Sequence, residues 1–271
     1  MKEYDFYIVP TPIGNLGDIT LRAIEVLKSV DLIACEDMRV TQKLLNHFDI
    51  KTKCISYHKF NEKERLNKFV EILKDGKKIA LVSDAGTPLF CDPGSILVEE
   101  LRKHDFSITA LAGANAVATF LSQNARNSED FFFAGFLPKS KTKIEEILNQ
   151  YKCTNIVFYE SPNRLKNTLE IIMECRNNPK VSVGRELTKV FEEIITDTAQ
   201  NTLKYFDENI LKGEIVAMVY ADNINISDAD INKKIEKLKN KNFSAKEISI
   251  ILSELFNISK NEIYKRALWL V

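Results

Sequence analysis

Short apolar runs recur through about the first 120 residues, and their rhythm constrains the fold more than anything else in the chain. "FYIV", "DLIAC", "CISY", "IALVS" and "SITAL" are each bounded by turn residues, and amphipathic stretches lie between them. Runs that are apolar on both faces and alternate with helices belong in a parallel sheet covered on two sides. This half reads as α/β. Leu21, Ile24 and Leu27 fall on one helical stripe, in a helix started by Asp18 or Thr20. Leu66, Phe69, Val70 and Leu73 form a second stripe, closed by Gly76 as a left-handed cap.

The pattern changes near "FFFAGFLPKSKTK" and continues through "NIVFYES", "VSVGREL", "EIITDTA" and "EIVAMVYA", with two helical stretches between. That spacing predicts a second, mixed sheet. From Ile226 onward the chain is rich in Lys, Glu, Asn and Leu. "SDAD", "SAKE" and "SKNE" each place Ser three residues before an acid, the reciprocal cap of a helix start, which predicts three short helices. The expected division is 1–122, 123–225 and 226–271.

Composition narrows the partners. Lys+Arg and Asp+Glu both number 38, so no overall basic field draws the chain to nucleic acid, and any such contact is local. The five cysteines are far apart, without a C-x-x-C pair, and there are three histidines. That spacing predicts neither a metal cluster nor a disulfide framework, and it fits a reducing cytoplasm in which Cys35 and Cys54 are small core residues. No run approaches the ~18 apolar residues of a membrane span, and the N-terminal apolar run is too short for a secretion signal.

Ligands of open α/β sheets bind beyond the carboxyl ends of the strands, so residues there are the candidates. Asp84, Ala85 and Gly86 follow "IALVS" in a loop that Pro88 and Pro93 stiffen; the same composition suits a plain strand-to-helix turn. "VPTPIGNLGDIT" ends the first strand in the same way. Glu36 and Asp37, with Arg39, end the second strand, as bases or simply as acids at a helix start. His58, beside Lys59, follows the third strand, whereas His47 and His104 read as helix-surface residues. Lys139, Lys141 and Lys143 form a basic tract that suits phosphates or an ordinary solvated loop. Phe131, Phe132, Phe133 and Phe136 read as strand core rather than a base-stacking platform. Neither G-x-G-x-x-G nor G-x-x-x-x-G-K-[ST] occurs, which argues against nucleotide sites of the Rossmann and P-loop types.

"YIVPTPIGNLGDIT", "CEDMRVT", "LVSDAGTPLFCDPG", "GFLPKSK", "FYESPNRL" and "GREL", in this order, resemble the tetrapyrrole-methylase superfamily and, among its members, an RNA-modifying branch. "EIYKRAL" near the C-terminus fits that branch too. The resemblance implies two α/β domains with S-adenosylmethionine in the cleft between them, a homodimer, and a cytoplasmic enzyme without a metal. It further implies 2'-O-methylation of a cytidine ribose in the decoding region of small-subunit ribosomal RNA, in the assembled subunit. On that basis the donor contacts are Pro12, Ile13, Gly14, Asp84, Ala85, Gly86, Gly113, Ala114, Tyr159 and Glu160. Glu36, Asp37 or His58 takes the hydroxyl proton, while Arg39 and Lys139 to Lys143 hold phosphates. Two features depart from the family pattern: Ala112 and Ala114 stand where prolines flank Gly113, and Met38 stands where a threonine is usual. The competing expectations are a methyltransferase for corrin-type tetrapyrroles and a DNA-binding module built on the last two helices.

Overall fold

A computed structural model describes residues 2–58, 61–91, 94–209, 211–222, 228–256 and 258–269. It divides the chain into two compact units, Met1–Tyr220 and Ala221–Val271.

The first unit contains two five-stranded sheets. Sheet one is wholly parallel, in the order β3-β2-β4-β1-β5, from β1 (Phe6–Ile8), β2 (Leu32–Cys35), β3 (Lys53–Ser56), β4 (Ile79–Val82) and β5 (Ile108–Ala110). Its strands alternate strictly. Tyr7, Ile33, Cys35, Ala80 and Val82 pack under α1 (Leu21–Ser29) and α2 (Met38–His47). Phe6, Ile8, Ala34, Ile79 and Leu81 pack under α3 (Glu62–Lys74) and α4 (Ser95–Lys103) on the other face. Both faces are therefore dry, which is why these strands read as continuous apolar runs.

The strand order fixes where a ligand fits. β1 leaves through α1 on one face, and β4, its neighbour, leaves through α4 on the other. The two chains part at this point and leave a crevice at the carboxyl ends of β1 and β4, the switch point of an open sheet.

Helix α1 starts at Thr20, whose hydroxyl accepts from the Ala23 N–H (3.0 Å), rather than at Asp18, which lies in a 3-10 turn. The buried stripe differs from the expected one: Ala23, Val26 and Leu27 are buried, and Leu21 is 80% exposed. Gly76 behaves as expected, with φ +75° and its N–H donating to Leu73 O.

After α5 (Ala116–Ser122), sheet two runs β6-β7-β10-β8-β9, from β6 (Phe131–Phe136), β7 (Asn155–Glu160), β8 (Lys180–Arg185), β9 (Glu193–Thr198) and β10 (Ile215–Val219). Only β6 and β7 are parallel neighbours. One face lies under α6 (Lys141–Gln150), α7 (Pro162–Cys175) and α8 (Ala199–Glu208), on Ile144, Leu148, Leu165, Leu169 and Phe206. The other face presents Val157, Val216 and Met218 to Ile13, Val117 and Phe120 of the first half. The two sheets thus share a core within one compact unit. This block holds three helices rather than the two expected, and Lys141 and Lys143 lie in the first turn of α6, so the basic loop shrinks to Pro138, Lys139 and Ser140.

The second unit is α9 (Asp228–Lys239), α10 (Ala245–Phe256) and α11 (Lys260–Trp269), joined around Ile231, Ile235, Ile248, Leu252 and Ile263. Ser244 and Glu247 form the expected reciprocal cap: the Ser244 N–H donates to the Glu247 carboxylate (2.8 Å), and the Glu247 N–H to the Ser244 hydroxyl (3.3 Å). Ser227 lies outside the described residues. Arg266, a cation needed by the DNA-reading alternative, is held by Asp228 and Glu262 at 2.6 Å each. Among the described residues no helix is long and apolar enough to cross a membrane.

Candidate active site

The loops after β1 and β4 are hydrogen-bonded to each other at the switch point. The Thr11 N–H donates to Gly86 O, and the Gly86 N–H to Thr11 O, both at 2.9 Å. The Thr11 hydroxyl adds a bond to Ser83 O (3.0 Å). Gly86 makes this close approach possible: its φ of +77° strains any side chain, and an added Cβ would sit 3.2 Å from Ile13. The pair forms one wall of a cavity of about 430 Å³, a size suited to a small-molecule ligand.

The cavity brings together part of the predicted set. Ile13, Glu36, Asp84, Ala85, Gly86, Tyr159 and Glu160 line it. Pro12, Gly14, Gly113 and Ala114 do not belong to the lining. Gly14 lets the first loop pass against the second half of the unit, since a Cβ there would lie 2.4 Å from the Lys189 side chain. Gly113 approaches Pro10 just as closely, and Ala114 O accepts from the Thr87 hydroxyl (3.0 Å). Asn115 and Ala116 take the lining positions instead. Asn115 caps α5 through the Val117 and Ala118 N–H groups, a signal available in the N-A-V-A sequence. Phe90, Cys91, Phe136, Ser161, Leu187 and the Gly213–Val216 segment leading into β10 are further lining groups that sequence reasoning missed.

Asp84 ties two strand ends together, its carboxylate accepting from the Asp37 N–H (2.9 Å). Burial in the crevice raises its pKa above the ordinary aspartate value. The Asp37 carboxylate adds to that rise, while the Asp37 N–H bond and Arg39 oppose it. Asp37 is differently engaged. It caps α2 by accepting from the Arg39 N–H (2.8 Å), and it pairs with the Arg39 guanidinium at 2.6 Å. Side-chain hydrogen bonding to Arg39 pulls its pKa down to about 2. The helix-start reading of this acid is the one the fold adopts, and Arg39 projects into solvent with Asp37 as its partner. The carboxyl carbon of Asp37, followed by NMR, is expected to titrate near pH 2 in the intact protein and to move towards 4 in Arg39→Ala.

His58 is half-buried beyond β3 and outside the cavity, its N–H donating to Asn61 Oδ1 (2.8 Å) and its ring beside the Asn61 amide (3.4 Å). Lys59 lies outside the described residues. Lys139, Lys141 and Lys143 are exposed and do not line the cavity; Lys141 pairs with Glu174 (2.7 Å). Lys139 follows cavity residue Phe136 by three positions, on a segment fixed by Arg164, which donates to Leu137 O and Pro138 O, both at 2.9 Å. Arg164 in turn faces Glu160 (3.4 Å), a buried carboxylate that also accepts from the Thr168 hydroxyl (2.8 Å) and the Ser161 N–H (2.9 Å). These bonds hold the edge of the cavity in place.

Residues 5–202 match the family model for tetrapyrrole (corrin/porphyrin) methylases, and the chain belongs to that family. The relatives sharpen its position within the family. The chain is 45% identical over 215 residues to ribosomal RNA small subunit methyltransferase I of Halalkalibacterium halodurans, covering 79% of this chain and 74% of that one. It is 40% identical over 265 residues to the protein of the same name from Rickettsia prowazekii, covering 95% and 94%. At that similarity and coverage the chain belongs with ribosomal RNA small subunit methyltransferase I. The fold is also that of cobalt precorrin-4 methyltransferase, a cobalamin biosynthetic enzyme, with a TM-score of 0.60 at 15% identity over 79% of this chain and 94% of that one.

Proposed function

We propose that this chain methylates the 2'-hydroxyl of a cytidine ribose in the decoding region of small-subunit ribosomal RNA, with S-adenosylmethionine as donor. The observation that carries this reading is the Thr11–Gly86 bridge, which turns two separate loops into one wall of a nucleoside-sized cavity beside Glu36. The residues present fit the donor. Gly86 keeps the wall free of a side chain, Ile13, Leu187 and Val216 give an apolar floor, and Asp84 and Glu214 give the polar ends.

When bound, the donor supplies an activated sulfonium methyl. The protein has to align the ribose oxygen for in-line displacement and remove its proton. Ser83 to Gly86 orient the donor, and Glu36 takes the proton. Lys139 and Arg39 supply positive charge for RNA phosphates, so a neutral protein binds RNA through few cations and shows a modest salt slope. The enzyme works in the cytoplasm as a homodimer, on the assembled subunit.

Mass mapping of small-subunit RNA from cells lacking the gene tests the reading: one decoding-region nucleotide is expected to lose 14 mass units of methylation. Purified protein with labelled donor should then restore it on subunits from those cells. An unchanged RNA map, with label appearing instead on a tetrapyrrole precursor, refutes it.

A further inference from the structure

Strand β6 does not keep its alternation. Phe132 and Ala134 face the helix-covered core, where Phe132 stacks on Tyr151 at 3.6 Å. Simple period-two spacing would send Phe136 the same way. The register shows otherwise: Phe133 pairs with Val157 and Phe136 with Tyr159, three residues of β6 spanning two of β7. The extra residue is a β-bulge, and Gly135 provides its left-handed backbone at φ +64°. The bulge turns Phe136 to the face of Phe133, so both rings meet Tyr159, at 5.5 and 5.2 Å. From the other half of the unit, Phe90 stacks on Phe133 at 4.8 Å and 24°. The result is a line of four rings, Phe90, Phe133, Tyr159 and Phe136, of which all but Phe133 line the cavity. Phe133 and Tyr159 are half-covered, whereas Phe90 is 44% and Phe136 62% exposed. The reading of the phenylalanines as strand core holds for Phe132 and Phe133, which pack against core clusters, and fails for Phe131 and Phe136, which are 45% and 62% exposed.

Two exposed rings on the lining of an otherwise built site call for a flat, apolar-faced occupant. The polar stretch of the lining from Ser83 to Thr87 suits the donor. We propose that Phe90 and Phe136 are the stacking platform for a nucleobase of the substrate RNA, placing its ribose inward, towards Glu36 and Asp84. The exposed cation Lys139, three residues beyond Phe136 on the segment held by Arg164, is positioned for the adjoining phosphate. Aromatic faces hold splayed-out bases in RNA readers for the same reason: every base has a π-face. This proposal rests on the rRNA reading above and adds the residues that grip the substrate.

The test is single-turnover transfer to unmethylated small subunits, with donor affinity measured separately by calorimetry. For Phe136→Leu and Phe90→Leu, the half-saturating subunit concentration is expected to rise roughly 5- to 100-fold. The saturating rate should stay within about threefold and donor affinity within about twofold. Phe136→Trp should restore subunit affinity, which a merely structural ring would not require. Thermal midpoints of the Leu variants should fall only slightly, because Phe136 is 62% and Phe90 44% exposed and a leucine keeps part of each ring's apolar contact. Unchanged subunit dependence in both Leu variants overturns the platform. So does a parallel loss of donor affinity, which would assign the rings to the donor's adenine. A parent protein that methylates no ribosomal RNA instead overturns the function on which the platform rests.

Discussion

Glu36→Gln is expected to slow single-turnover methyl transfer by about 10²- to 10⁴-fold at saturating RNA while leaving donor affinity within about twofold. Three groups were candidates for taking the ribose proton, and their surroundings separate them. Asp37 spends its carboxylate on the N-terminus of α2 and on Arg39, and a pKa near 2 makes it a feeble proton acceptor. His58 stands beyond β3 beside Asn61, away from the cavity. Glu36 lines the cavity on the same strand end whose following N–H is fixed by Asp84. Asp37→Asn keeps an oxygen that can cap α2, so a loss of less than about tenfold is expected, and His58→Gln should be close to the parent. Rapid-quench measurement of labelled methyl on RNA, with calorimetry for the donor, checks all three. A Glu36→Gln enzyme as fast as the parent removes Glu36 from the chemistry.

The differences between sequence and fold have physical causes. The parallel sheet was legible because burial on both faces leaves continuous apolar runs, and the two Gly-Pro loops were legible because strands reject those residues. Their hydrogen bonding to each other was not, since Thr11 and Gly86 are distant in sequence and adjacent only through the β4-β1 pairing. Leu21 misled because at about 100° per residue the face centred on Ala23, Val26 and Leu27 lies on the far side of the helix from it, and that face is the one the sheet covers. Phe136 misled for a different reason. Gly135 inserts one residue into β6, and a fixed period of two puts every residue after a bulge on the wrong face. The lysines of the basic tract were visible as charges, but the start of α6 at Lys141 depends on packing Ile144 and Leu148 into the second core.

The floor of the cavity predicts the largest loss of stability. Phe120, on α5, is fully buried against β8, where Gly184 leaves it room: a Cβ at Gly184 would lie 2.6 Å from Phe120 Cδ2 and 2.9 Å from Cε2. Phe120→Ala empties that space and is expected to cost about 3–5 kcal/mol, lowering the melting temperature of the first unit by roughly 6–15 °C. Gly184→Ala overfills the same space and should cost about 1–3 kcal/mol. Because the two changes have opposite signs in volume, Gly184→Ala combined with Phe120→Leu should be more stable than the sum of the single variants by about 1 kcal/mol or more, the coupling expected of groups in contact. The probe matters here. The single tryptophan of the chain is Trp269, in the second unit, so indole fluorescence follows the helical tail and far-UV circular dichroism of the whole protein must be used for the first. Donor affinity should fall with stability in Phe120→Ala, because Phe120 packs in one cluster with Ile13, Leu187 and Val216, whose other surfaces line the cavity. Additive losses in the double variant, or a Phe120→Ala protein with unaltered donor affinity, would mean that the shared core does not support the site above it.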